Sequence, residues 1–231
     1  MPIDPAPTRA KLIDAAITLM SRRGVDGVSL SEINRQAGQR NASALQYHFG
    51  GKEGLLRAML APFAEDLGER RRRAIDEVRR RRGGAAPTLH DAATVMVHPL
   101  VDCAAQGWRE RGTMAVLAEL FSNPSYPLTG LDDILGDRGT EAVTALLVEA
   151  VPELPAEVMA LRLHGAYLFT NQAASTWARA VDGGPSGDTP PALEVFRENL
   201  VDMVVGVLGA PAGEATLGAV ARVRQRARRG A

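Results

Sequence analysis

Residues 29–56, SLSEINRQAGQRNASALQYHFGGKEGLL, constrain the chain more tightly than any other stretch. Ser29 followed three positions later by Glu32 is a capping-box pattern, in which hydroxyl and carboxylate satisfy each other's orphan backbone donors and start a helix. Leu30, Ile33 and Ala37 then recur at three- and four-residue spacing as one apolar stripe, and Gly38 is placed to close the helix after about two turns. Asn41 can cap a second helix, Ala42 to His48, in which Leu45 and Phe49 share a face while Gln46, Tyr47 and His48 project elsewhere. Gly50-Gly51 breaks it, and Lys52-Glu53 begins a third helix whose apolar residues are Leu55, Leu56, Met59 and Leu60. Two short helices, a tight turn and a supporting helix make a helix-turn-helix.

Ala37-Gly38, then Leu45-Gln46-Tyr47-His48-Phe49, then Gly51-Lys52-Glu53-Gly54-Leu55-Leu56 resemble the signature of the tetracycline-repressor (TetR) family. The resemblance covers residues 8 to 60, about a quarter of the chain; beyond it only length and helical character are similar. Three features depart from the pattern. The turn Gly38-Gln39-Arg40-Asn41 is one residue longer than usual, Asn34 stands where a small apolar residue is common, and Gly51 replaces the Ser before Lys-Glu. They bear on which side chains meet base edges, not on the fold.

The charge is distributed to match such a head. The 231-residue chain is neutral overall, but residues 8–57 hold eight basic side chains against four acids, a net of +4, so the remainder nets −4. A basic head on an acidic body suits a protein that meets phosphate with one end. Arginine richness carries no further weight, since 25 Arg against 2 Lys accompanies abundant Ala and Gly. With 45% hydrophobic residues the chain can bury a sizeable core, and no apolar run reaches the length of a membrane span. A soluble, cytoplasmic protein is expected, with no membrane partner. Cys103 is alone, which excludes an internal disulfide and favours a small buried hydrophobe.

In chain order, Met1 to Pro7 has three prolines and reads as a disordered arm; Thr8 then caps a helix carrying Leu12, Ala15, Ala16, Leu19 and Met20, closed by Gly24. The support helix continues past Leu60 through Phe63, Leu67, Ile75 and Val78, with Pro62 expected to kink or restart it. Its clusters Arg70–Arg73 and Arg79–Arg82 are interleaved with Glu65, Asp66, Glu69, Asp76 and Glu77 at pairing distance, and read as a solvated face. After the break at Gly83–Pro87 come helical segments Leu89 to Gln106, interrupted by Pro99, then Trp108 to Ser122, Leu131 to Val151, Pro155 to Val181 and Pro191 to Leu208. DGGPSGDTP (182–190) is a flexible loop by composition, and a tail helix from Glu214 to Arg229 is expected to be solvated and frayed. Strand-like alternation is absent. The expected fold is therefore all-α. The resemblance implies a helix-turn-helix DNA-binding domain (8–57) joined to a helical effector-binding and dimerisation domain (58–210), with 1–7 and 211–231 flexible or peripheral.

Enzyme chemistry is hard to find. Of His48, His90, His98 and His164 no two stand at i, i+4, and neither a nucleophile motif nor a phosphate-cradling loop is present. No cofactor and no metal is expected. His98 and His164 read as satisfied core or pocket residues. Two functions compete: a DNA-binding regulator, and a helical enzyme or small-molecule carrier with a merely structural N-terminal cap. The second needs a convergent polar site in the body, and none is visible.

If residues 42–48 enter the major groove of operator DNA, Arg40, Asn41, Ser43, Gln46 and Tyr47 are the candidates for base edges and nearby phosphates, while Ser29, His48 and Lys52 hold the backbone. A single recognition helix reads only a few base pairs, so a homodimer is expected. The family resemblance implies that the last two main helices, Pro155 to Val181 and Pro191 to Leu208, pair into a four-helix bundle. It also implies an effector pocket in the body, for which Met96, His98, Trp108, Met114, Phe121, Tyr167, Asn171 and Trp177 are the candidates, with Tyr126, Phe169 and His164 beside them. An unidentified small-molecule effector would then shift the population between operator-binding and released states.

Overall fold

A computed structural model describes residues 5–39, 43–123, 139–151, 154–183 and 189–230, and among them helix is the sole regular structure. The helices are α1 (Pro5–Arg23), α2 (Leu30–Gln36), α3 (Ala44–Phe49), α4 (Lys52–Arg82), α5 (Leu89–Ala105), α6 (Trp108–Ser122), α7 (Thr140–Ala150), α8 (Ala156–Val181), α9 (Leu193–Gly209) and α10 (Glu214–Gly230). The first three and the start of α4 form a head. Leu12, Ile17, Met20, Ile33, Leu45, Leu55 and Leu56 close its core, all but removed from water. At about 1.5–3 kcal/mol for each fully buried large aliphatic side chain, this core and not the propensity of two short helices holds the head together.

The body is layered around α5, which is apolar almost all round: Ala92, Val95, Met96, Val97, Leu100 and Val101 are buried against α4 on one side and α9 on another. A helix with that pattern must be central. α6 lies along α8, and its inner residues Met114, Val116, Leu117 and Leu120 complete the same core. α4 belongs to both parts, since it packs on α3 and α1 near its start and on α5 farther along.

Several local expectations are corrected. α1 begins at Pro5 rather than being capped at Thr8, so part of the expected arm is helical; prolines are tolerated in a first turn, where the missing N–H has no intrahelical acceptor. α4 continues through Pro62 without restarting, and α5 is not interrupted at Pro99. An interior proline costs about 3 kcal/mol, and burial of Leu60, Phe63 and Leu67 around Pro62 outweighs it. The tail, by contrast, is the expected helix and is almost wholly exposed; Arg162 donates to the carbonyls of Leu208, Ala210 and Pro211 where α9 leads towards it, and a bidentate Arg224–Glu157 pair at 2.7 Å ties it to α8. The α4 arginines are more than a solvated face. Arg70, Arg73 and Arg80 pair within the helix, but Arg71 is buried and donates to Thr140 Oγ1, Arg79 grips Glu149, and Arg81 and Arg82 converge on the buried Asp91 at the start of α5. Those last groups pin α5 and α7 to α4. Thr88 and Asp91 cap α5 reciprocally, and these hydrogen bonds with Arg82 hold the Asp91 carboxyl well below the usual carboxylate range despite its burial. Residues 131–138 and most of the 182–190 loop lie outside the described residues, leaving α7 to begin at Thr140.

Candidate nucleic-acid interface

The capping box at Ser29 forms as its pattern demands. Ser29 Oγ accepts the Glu32 N–H at 3.3 Å, and Glu32 Oε2 accepts the Ser29 N–H at 3.0 Å. Arg23 donates to the other carboxylate oxygen at 2.8 Å, and these hydrogen bonds pull the Glu32 pKa down to about 2. α2 closes in a Schellman motif: Gly38, at φ +69°, donates to Arg35 O, and Gln39 donates to Asn34 O. The next helix is displaced from its expected start. α3 runs from Ala44 to Phe49 rather than from Ala42 to His48, and Ser43, at its N-terminal boundary, makes no capping bond with its side chain. Arg40 and Asn41 lie outside the described residues.

α3 is only six residues long, so its orientation comes from its neighbours. Ala44 and Leu45 are buried in the head core, and Gly50 (φ +70°) ends the helix with its N–H on Gln46 O at 2.9 Å. The close approach that follows requires glycine. A Cβ at Gly54 would stand 1.8 Å from the carbonyl oxygen of Phe49, so only a residue without a side chain lets the first turn of α4 abut the end of α3. With the inner face clamped, Ser43, Gln46 and Tyr47 point to solvent, Tyr47 at 84% exposure. Gln46 Nε2 donates to Gly50 O at 3.2 Å, and His48 sits edge-on to Tyr47 at 5.2 Å between ring centroids.

An exposed tyrosine of this degree has no role in the core. Together with the Gln46 amide and the Ser43 hydroxyl on one short face, it supplies donors and acceptors for base edges and phosphates. The Ser29 hydroxyl is engaged in the cap. Lys52 stands at the first position of α4, where ammonium and helix dipole both attract phosphate, and its Nζ lies 3.3 Å from Asp26. Arg9, on α1, lies over the Phe49 ring at 5.1 Å, adding a cation to this rim that sequence spacing alone did not single out.

The head is tied to the body through the turn between α1 and α2. Glu119 of α6 accepts the Val25 N–H at 2.8 Å, and Asn123 donates to Asp26 at 3.1 Å, so the residue beside Lys52 is also bonded to the end of α6. Glu119, Asn123, Asp26 and Gly54 were missed by sequence reasoning. For Gly54 a signal existed, an interior glycine in a helical pattern; for Glu119, 94 positions from Val25, there was none.

Among the described residues, the eight body side chains singled out for a pocket lie in several different surroundings. Met96 and Met114 are sealed in the core, Tyr167 hydrogen-bonds Thr144 at 3.0 Å, and Asn171 donates back to Tyr167 O. Trp177 stacks on Phe196 at 5.6 Å and donates to Pro191 O. Phe121 and Phe169 are half-buried against the core, and Tyr126 lies outside the described residues. Trp108 lines a cleft between α1, α6 and α8, while His98 lines a separate surface hollow near Arg70 and Asp102, its pKa lowered by burial and by Arg197. His164, read as a core or pocket residue, is exposed on α8, because it falls on the outward side of a helix whose inner face is Ala166, Thr170 and Ala174. Cys103 is buried, as expected of a small hydrophobe, and its thiol donates to Asp66 at 3.3 Å.

Comparison with known proteins agrees with this architecture. Residues 12–59 match the family described as bacterial regulatory proteins, tetR family. No curated protein matches the chain at a significant level. Among solved structures, the fold is similar to that of the transcriptional regulator FadR from Bacillus subtilis in complex with stearoyl-CoA, at 19% identity and a TM-score of 0.54 over 86% of this chain and 98% of that one. It is likewise similar to the TetR family transcriptional regulator PfmR from Thermus thermophilus, at 17% identity and TM-score 0.53 over 87% and 99% of the two chains. The ketosteroid transcriptional regulator KstR2 of Mycobacterium tuberculosis gives 18% identity and TM-score 0.53 over 88% and 95%. At these identities the likeness is one of fold.

Proposed function

With residues 12–59 matching the tetR family of bacterial regulatory proteins, we propose that this chain is a sequence-specific repressor that binds operator DNA as a homodimer and leaves it when a small organic molecule binds. The outward face of α3 carries the reading. Ser43, Gln46 and Tyr47 stand together in solvent on a helix whose other side is locked by Leu45 and by the glycine contact at Gly54, and Lys52 flanks them. Gln46 and Tyr47 read base edges, while Lys52 and His48 hold phosphate.

A second copy of the chain is supported by the outer faces of α8 and α9. Leu161 is 73% exposed and Val195 64%, with Met203 and Val207 half in water, an apolar surface that a monomer would leave wet. Pairing α8 and α9 with their symmetry mates buries it and sets two heads on one twofold site. The ties from Glu119 and Asn123 to the α1–α2 turn make the spacing of those heads depend on the position of α6, so a ligand preferring another position of α6 weakens DNA binding by its differential affinity.

The test is retention of genomic fragments by the purified protein, followed by gel shifts on the fragment recovered. Lys52→Ala is expected to weaken every sequence alike and Gln46→Ala to change preference at one position, each by about 1–3 kcal/mol. Wild-type binding by both variants at fixed salt removes this placement of α3.

A further inference from the structure

Head and body enclose an open cleft of about 840 Å³ at the place where α1, the first turns of α6 and the end of α8 meet. Its volume falls within the range of small-molecule sites. Three guanidinium groups line it, Arg22 from α1, Arg111 from α6 and Arg179 from α8, against the single carboxylate of Asp182, so the wall carries two formal positive charges in excess. Arg111 takes that carboxylate at 2.6–2.7 Å. Among the described residues neither Arg22 nor Arg179 forms an ion pair; Arg179 is steadied instead by donating to the buried Ser175 Oγ at 2.7 Å. A guanidinium oriented by a hydroxyl and still lacking a counter-charge is prepared for an oxyanion.

The second feature of the cleft is Trp108. Its indole is 46% exposed, in a chain whose other tryptophan is buried and stacked. The Arg109 guanidinium lies over the Trp108 ring at 5.6 Å from its centroid, so an aromatic ligand stacks on the opposite face, and the first turn of α6 adds the positive end of its dipole. The site also joins the two halves of the molecule. Gly112 brings α6 close enough to α1 that a Cβ would stand 2.5 Å from Ile17 Cγ2, so anything filling the cleft beside that contact bears on both.

We propose that this cleft binds an organic oxyanion with a planar aromatic body, the acid held by Arg179 and Arg22 and the ring against Trp108. Its role as the effector site rests on the ligand-responsive regulator proposed above. The ring and acid face helices of head and body at once, so occupancy alters the angle of α1 to α6 directly, without passing through the sealed core of Met96 and Met114.

The probe is naphthalene-2-carboxylate, read by quenching of Trp108 fluorescence in a Trp177→Phe background and by calorimetry on the wild-type chain. Saturable binding is expected, weakened by about tenfold or more in Arg179→Gln and in Arg22→Gln, with naphthalene-2-carboxamide weaker by a similar factor. Binding that is absent, that survives both arginine variants, or that is equal for the carboxamide overturns the site. Fragment retention is measured alongside: DNA released by the carboxylate in wild type but not in Arg179→Gln supports the effector role, and DNA kept despite a filled cleft overturns it. A chain that binds the carboxylate but retains no DNA with or without it leaves the site standing and overturns the repressor reading instead.

Discussion

Glu119 and Val25 stand 94 positions apart, yet the carboxylate of the first accepts the backbone N–H of the second at 2.8 Å, tying the body to the turn on which the recognition helices hang. Val25 is buried, so no solvent replaces the bond if the carboxylate is removed. Glu119→Ala is expected to lower unfolding free energy by about 1–3 kcal/mol, the cost of a buried donor left unpaired, and Glu119→Gln by less because its amide oxygen still accepts. Urea denaturation of the two variants checks this, and equal losses would mean that packing, not the hydrogen bond, holds the joint.

Gly54→Ala addresses the orientation of α3. The new methyl would stand 1.8 Å from Phe49 O, a backbone atom that no side-chain rotation can move aside, so the end of α3 must shift. The expected outcome is a destabilised head and weakened binding to all DNA, against the position-dependent change expected for Gln46→Ala. Amide chemical shifts of residues 43–50 report the displacement; spectra superimposable on wild type would contradict the contact.

The α2 cap is expected to be pH-sensitive in one direction. Glu32 has its folded pKa depressed from 4.5 to about 2 by the Ser29 and Arg23 hydrogen bonds, so its contribution is fully present above pH 4.5 and is lost as pH falls through about 2. Ser29→Ala removes the hydroxyl from the box and is expected to raise the Glu32 pKa towards its ordinary value. Carboxyl carbon chemical shifts followed through an acid titration measure both; a Glu32 pKa that stays at about 2 in the variant would assign the effect to the Ser29 backbone N–H and Arg23 rather than to the hydroxyl.

Leu161→Arg places a charge in the middle of the exposed apolar surface of α8 without touching the core. Loss of the dimer is expected at micromolar concentration, with helix content retained. Light scattering and circular dichroism report the two quantities, and a wild-type chain that is already a monomer would exclude the twofold arrangement.

What was legible in the sequence is what a chain decides within one or two helical turns. Ser29 and Glu32 meet because they are three residues apart, and Gly38 and Gly50 end their helices because a left-handed residue costs least at glycine. Leu45 facing inward and Gln46 and Tyr47 outward follow from the same periodicity. The tertiary structure decided whatever depends on what lies across an interface. Periodicity names an apolar face but not its partner, so His164 fell outward and Trp108 came to a cleft, although both stand in helices whose apolar residues marked them for the interior. Burial of neighbours carried α4 through Pro62, where local propensity argued for a break. The Glu119 tie and the Gly54 contact are close approaches between separate elements, and such distances exist only once all the helices have packed.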